Sequence, residues 1–313
     1  MTPAIAGISG GRTSARMAYM LPDDVVLTFQ NTGREARKTY DFIAALEQDL
    51  DRPIVRLEYR APPRGDAPRF STFEIVEHRH LSRRGEPFRD LLVCLATYRA
   101  KHKSEGPIAP WARSRVCTAY LKVRTQRKFC VSLGWGPPTD YTEYVGLRAD
   151  EPGRVAKMRG RNEARNTDER APLFDAGISK SDVLEFWSRK PFDLGLPEWL
   201  GNCTGCFLKD ESDLATALLE EETDPQWWIG IEDDFAPMRR GRSSYQQVLE
   251  EAPERMRIRA AVERGDALIP ATRLLPRRHK LILAQELDRY RNGPSPFACE
   301  CDAAKADDFD EAA

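Results

Sequence analysis

The sequence predicts an α/β protein: a Rossmann-like parallel sheet with helices on both faces, followed by a helical C-terminal part. Three observations carry this. Apolar runs of strand length alternate with segments of helical periodicity over residues 3–59. Two of those runs end in polar glycine turns, Ser9-Gly10-Gly11 and Asn31-Thr32-Gly33. Beyond Cys206 the sequence turns polar and helix-compatible.

The first strand is Ala4-Ile5-Ala6-Gly7-Ile8, and a helix-compatible segment opens at Arg12-Thr13-Ser14. Paired glycines let backbone N–H groups point into one concavity, and a helix dipole adds partial positive charge there. Such a turn suits a phosphate, although an ordinary strand-to-helix turn has the same composition. It is not a Walker P-loop, because the spacing from Gly7 places Arg12 where that motif has glycine.

The second strand, Val25–Gln30, leads into a helix with Phe42, Ile43, Leu46 and Leu50 on one face. Open parallel sheets bind ligands at the carboxyl ends of their strands, where both glycine turns would lie. Ile54–Tyr59 reads as a third strand.

Residues 60–114 break the rhythm with Pro62-Pro63 and Arg64-Gly65-Asp66, and read as an insertion, a lid or a partner surface, over the carboxyl edge of the sheet. A helix is expected over 116–133 and a strand over 141–147. Arginines crowd residues 148–170 among few apolar positions, which reads as a solvated loop. The alternative is a basic lid over a phosphorylated substrate or a polynucleotide. Ser179 to Asp182 has the spacing of a capping box, introducing a helix with Val183, Phe186 and Trp187 on one face. Further helices are expected near 208–222, 244–264 and 277–291. The chain thus divides into an α/β domain over 1–200, a Cys-x-x-Cys segment with a helical subdomain over 201–298, and an acidic flexible tail over 299–313.

A net charge of −1 with 31% charged residues makes no global demand for nucleic acid. No apolar run approaches the ~18 residues needed to span a bilayer, and no signal peptide is apparent. With seven cysteines, this points to a reducing, cytoplasmic setting in which thiols serve as ligands or catalysts.

Six segments, in order, carry a resemblance. They are Ser9-Gly-Gly-x-x-Ser14; Phe29-x-Asn31-Thr32-Gly33-x-Glu35 with Thr39 and Phe42; Arg115-Val116-Cys117-Thr118-x-x-Leu121-Lys122; Val145-Gly146-Leu147-Arg148-Ala149-Asp150-Glu151; Pro172-Leu173 with Ile178 to Val183; and Gly201 to Lys209, which holds Cys203-Thr204-Gly205-Cys206. Together they resemble the phosphoadenosine phosphosulfate (PAPS) reductase family, in the PP-loop, N-type ATP pyrophosphatase-like group, with the last segment closest to its iron–sulfur and phage-type members. The resemblance covers roughly residues 4–209. It implies an adenine nucleotide alpha hydrolase-like fold. It also implies an adenine nucleotide cradled by Ser9, Gly10, Gly11, Arg12, Thr13, Ser14 and Arg148, and lined by Asn31, Thr32, Gly33 and Glu35. Glu35 would hold Mg2+ or a ribose hydroxyl.

The cysteines follow from the same resemblance. Cys117, Cys203 and Cys206 would ligate an iron–sulfur cluster of the 4Fe-4S type, with Cys299 or Cys301 as fourth ligand or one iron left open. A zinc site and a redox Cys-x-x-Cys pair are the other readings of those residues. Cys94 and Cys130, in apolar surroundings, read as buried fillers. Glu300-Cys301 is similar to the reductases' C-terminal Glu-Cys-Gly, with Asp302 in place of glycine, and would make Cys301 the catalytic thiol. The implied activity is thiol-dependent reduction of an adenylyl-sulfate type nucleotide with a thioredoxin-like electron donor. The alternatives are an ATP-dependent sulfurtransferase acting on a nucleic acid and a non-catalytic nucleotide-binding module.

Overall fold

The structure, a computed structural model, describes residues 2–105, 108–197, 199–265 and 277–292. They form two compact units. Of the described residues, one comprises those up to 108 together with 115–195, and the other comprises 109–114 and those from 196 to 292.

The first unit is built on a six-stranded sheet in the order β4-β3-β2-β1-β5-β6. The strands are β1 (Ala4–Gly7), β2 (Val26–Asn31), β3 (Ile54–Arg60), β4 (Thr72–Ile75), β5 (Thr142–Tyr144) and β6 (Asp168–Arg170). All neighbours are parallel except β3 and β4. Ile5, Ala6, Leu27, Phe29, Ile54 and Leu57 are buried, which is the near-continuous apolar reading of central parallel strands. The predicted α/β class is the observed one. The order reverses at β1: β2 and β3 lie to one side of it, β5 and β6 to the other. That reversal leaves a crevice at the carboxyl ends of β1 and β5, the usual ligand position in such sheets.

Helices α1 (Arg12–Ala18) and α2 (Arg37–Leu50) follow β1 and β2 as expected. Residues 60–114, expected as an insertion, contribute to the sheet itself. They supply the antiparallel edge strand β4 and the 17-residue helix α3 (Glu86–His102), which packs on β3. β4 escapes a sequence reading because it is short and mostly exposed, as edge strands are.

The arginine-rich stretch is not a loop. It forms α5 (Pro152–Arg165) and β6. Only Val155 and Met158 of α5 are buried, but they join Val145, Leu147 and Ala171 in one apolar cluster. The arginines carry their own acids: Arg154 pairs with Glu151, Arg159 with Asp175 at 3.2 Å, Arg161 with Glu169 at 2.8 Å and Arg170 with Asp168 at 2.8 Å.

The helix expected over 116–133 is present in two parts. A π-helical stretch, Cys117–Arg124, runs directly into α4 (Thr125–Ser132). A four-residue helix, α6 (Pro172–Asp175), precedes α7 (Lys180–Ser188), which opens on the expected capping box: Ser179 N–H donates to Asp182 Oδ2 at 2.8 Å and Asp182 N–H to Ser179 Oγ at 3.4 Å.

The second unit is helical, with α8 (Glu211–Leu218), α9 (Pro225–Asp234), α10 (Tyr245–Glu263) and α11 (Arg277–Asn292). Arg255, fully buried on α10, binds Glu211 of α8 at 3.2 Å and Glu286 of α11 at 3.4 Å. A buried cation with carboxylate partners on two neighbouring helices ties three helices together, since removal of either side leaves a charge without solvent. No described helix is long and apolar enough to cross a membrane. The expected tail over 299–313, with Cys299 and Cys301, lies outside the described residues.

Candidate functional site

The crevice at the β1–β5 carboxyl ends is a cleft lined by Ser9, Ser14, Lys122, Gln126, Glu143 and Gly146, with Gly7 and Tyr144 beside them. One part of its lining is Ser9 and Ser14, the two ends of the first glycine turn. Ser9 N–H donates to Ser14 Oγ at 3.1 Å, the two hydroxyl oxygens lie 3.0 Å apart, and Ser14 Oγ donates to Gly11 O at 3.1 Å. Gly10 has φ of +81°, and a Cβ there would lie 2.3 Å from Thr39 Cγ2. Its glycine is therefore demanded by backbone conformation and by packing on α2. A Cβ on Gly146 would come within 3.2 Å of Ser14 Cα, so the glycine after β5 lets the two strand ends close on each other. Helix α1 has only seven residues and no side-chain cap, so its dipole is a minor contributor.

The two arginines expected to hold an anion have partners within the chain. Arg12 grips Asp193 with both ends of its fork, Nε to Oδ1 at 2.6 Å and Nη2 to Oδ2, and holds that carboxyl below its ordinary range. The Arg12 carbonyl accepts from Trp187 Nε1 at 2.9 Å, which docks the turn onto α7. Arg148 binds Asp150 through Nε at 3.0 Å and donates to Thr13 Oγ1 at 3.1 Å. Thr13 and Arg148 therefore meet at this sheet end, with an acid already beside the arginine.

The second turn is a buried hydrogen-bond network. Asn31 Nδ2 donates to Glu58 Oε1 at 2.6 Å and to Ser82 O at 2.8 Å, while its Oδ1 accepts from Gly33 N–H and from Tyr40 Oη at 3.0 Å each. All four hydrogen-bonding positions of that amide are used inside the protein. Glu35 accepts from Thr32 Oγ1 at 2.7 Å and from the N–H groups of Thr32 and Arg34 at 3.2 Å, and it lies 3.2 Å from Tyr40 Oη, whose one proton it shares with Asn31 Oδ1. Burial, and then the Glu35 carboxylate, push the Tyr40 hydroxyl far above its usual range, so it stays a donor. Gly33, at φ of +79°, lies against Gly85 at the start of α3, where a Cβ would meet Gly85 Cα at 3.0 Å. The Asn31-Thr32-Gly33-x-Glu35 segment thus binds β2 to its neighbours. The side chains of Asn31 and Glu35 make these hydrogen bonds within the fold.

Four residues lining or flooring the cleft were not singled out by the sequence: Gln30, Lys122 as a contributor to the cleft, Gln126 and Glu143. Gln30 and Gln126 are buried, and Gln30 Nε2 donates to Gln126 Oε1 at 2.9 Å. The available signal was a glutamine closing an apolar strand, because a buried amide there needs a partner. Lys122 and Gln126, four residues apart, both reach the cleft from the π-helical stretch and α4. π-helical turns recur at functional sites, where the extra residue re-aims side chains.

Cys117 opens that π-helical stretch in the first unit and is half-buried. Cys203 and Cys206 belong to the second unit, in a loop ordered from below. Lys209, 1% exposed, donates from Nζ to Leu200 O and to Cys203 O at 3.1 Å. Arg239 Nη1 donates to Phe207 O at 3.2 Å and Lys209 O at 2.9 Å, and Tyr245 Oη to Gly205 O at 2.6 Å. Among the described residues, no group of three or more His, Cys, Asp or Glu side chains is arranged to hold a metal ion. Cys94 and Cys130 are buried, and burial pushes both thiols up, that of Cys130 to about 12. They are fillers, as expected.

The chain is similar to the uncharacterized nin region protein ORF290 of Escherichia phage lambda. The two are 30% identical over 228 residues, which cover 70% of each. No family model matches the chain, and no solved structure matches it.

Proposed function

The chain belongs to the family of the lambda nin region protein ORF290, and we propose that it binds an adenine nucleotide of the adenylyl-sulfate or PAPS type at the β1–β5 cleft and performs thiol-dependent sulfur chemistry on it. The observation that carries this reading is the cleft at the strand-order reversal. Two hydroxyls, Ser9 and Ser14, and the Lys122 ammonium share its wall at the position where parallel sheets take nucleotides. The order of the PAPS-reductase-like segments supports the same reading, since Ser9 and Ser14, Lys122 and Gly146 belong to three of them and line one cleft.

In the chemistry proposed, the Ser9–Ser14 turn and Lys122 hold the phosphosulfate and spread its negative charge over fixed donors. A cysteine thiolate attacks the sulfur, and the S–O bond to phosphate breaks. The nucleotide leaves as its phosphate. A dithiol donor of thioredoxin type then reduces the enzyme's S-sulfonate and releases sulfite. Cys301, the candidate thiol, lies outside the described residues. An iron–sulfur cluster would supply thiolate-ligated iron. Cys203 and Cys206 give half of such a ligand set within the second unit, and no step above passes through it.

The test is anaerobic purification with iron and sulfide analysis, followed by incubation with adenylyl sulfate, PAPS and ATP in the presence of reduced thioredoxin. Sulfite release is expected. AMP with pyrophosphate from ATP would replace the reductase reading by a sulfurtransferase. Binding without turnover of any of the three would leave a nucleotide-binding module.

A further inference from the structure

The floor of the β1–β5 cleft carries a chain of buried polar side chains that an anion site alone would not need. Thr28 Oγ1 donates to Gln126 Oε1 at 3.1 Å, and Gln30 Nε2 donates to the same oxygen at 2.9 Å. Gln126 Nε2 in turn donates to Glu143 Oε1 at 2.8 Å. The two donors on Oε1 fix the orientation of the Gln126 amide, because the flipped form would set its NH2 against the Gln30 NH2. Gln126 therefore presents its N–H to the Glu143 carboxylate, which lines the cleft together with Ser9, Ser14 and Lys122.

A second observation shows that the sequence makes room for this amide. Gly7 closes strand β1, and a Cβ there would lie 3.0 Å from Gln126 Oε1. Its φ lies outside the left-handed region, so the backbone does not ask for glycine. The approach of Gln126 does.

A carboxylate in the lining repels a bare phosphate or pyrophosphate, while Ser9, Ser14 and Lys122 in the same lining supply hydroxyls and a positive charge that attract one. The mixed wall matches a ligand that carries an anion and, a few bonds away, neutral hydroxyl donors. The ribose of a nucleotide has this form. Resting on the nucleotide reading above, we propose that Glu143 accepts a hydrogen bond from a ribose hydroxyl of the bound nucleotide. Gln126 is its positioning residue, and the pair makes the cleft select a nucleotide over free pyrophosphate.

The experiment measures affinities for adenylyl sulfate, its 2′,3′-dideoxy analogue and pyrophosphate by calorimetry, with thermal unfolding recorded for each variant. The wild type is expected to prefer adenylyl sulfate to the dideoxy analogue on the order of tenfold, as a hydrogen bond to a charged group gives. Glu143→Ala brings that ratio close to one and tightens pyrophosphate binding. Gln126→Met lowers the ratio in the same direction, and Gly7→Ala, which crowds the amide, reproduces Gln126→Met. Should Glu143→Ala not fold, Glu143→Gln serves, with the ratio again reduced. A ratio unchanged in the Glu143 variants, or a wild type indifferent to the ribose hydroxyls, overturns the assignment while leaving nucleotide binding intact. A wild type that binds none of the three, or pyrophosphate alone, overturns the nucleotide reading and this assignment with it.

Discussion

Gly10 lies directly against Thr39: a Cβ on Gly10 would sit 2.3 Å from Thr39 Cγ2, at a backbone φ of +81°. The glycine of the first turn is thus tied to the helix that follows the second strand. Gly10→Ala is expected to destabilise the protein by about 1–3 kcal/mol through backbone strain and crowding. Adding Thr39→Ala should return the crowding part and leave the strain. Denaturant unfolding midpoints of the single and double variants check this. A single variant as stable as the wild type contradicts it.

Asn31→Ala removes an amide whose four hydrogen-bonding positions are all engaged within the fold. The buried Glu58 carboxylate loses one donor, and Tyr40 loses one acceptor. A loss of about 1–3 kcal/mol in stability is expected. Nucleotide affinity, measured at a temperature where the variant stays folded, should change little. A large drop in affinity with full stability would give the Asn31 side chain a binding role instead.

The Arg12–Asp193 pair predicts a pH dependence. The Arg12 hydrogen bonds depress the Asp193 carboxyl in the folded state. Below the ordinary carboxylate range the unfolded chain then holds the proton more readily than the folded one, so stability rises with pH there. The pair's contribution is fully present above about pH 4 and is lost as pH falls through the lower, folded value. Because both side chains are partly exposed, the effect is small and screened by salt. Asp193→Asn should flatten the acid limb of the unfolding midpoint against pH. An acid limb identical to wild type contradicts the pairing.

The parts of this fold legible in the sequence were those with an unambiguous period. β1 and the start of β2 are apolar runs, β3 alternates Val55, Leu57 and Tyr59 with Arg56, Glu58 and Arg60, and α7 announces itself by its capping box. β4 and α5 were not legible, because β4 is a short exposed edge and α5 buries only Val155 and Met158 against partners that the chain supplies elsewhere. The candidate site divides in the same way. The Ser9–Ser14 turn was visible from its glycines. What Arg12, Asn31 and Glu35 do was not, since their partners Asp193, Glu58 and Tyr40 are set by tertiary structure. Gln126 and Glu143 carry no motif at all, and only the sheet order brings them to the cleft.

The central claim, an adenine nucleotide in the β1–β5 cleft, is tested most directly by amide hydrogen exchange of the full chain with and without adenylyl sulfate, PAPS or ATP. Bound nucleotide should slow exchange at Ser9 to Ser14, at Lys122 to Gln126 and at Tyr144 to Gly146, three segments distant in sequence that line one cleft. Protection confined to other segments, or no change with any of the three at millimolar concentration, would contradict the claim.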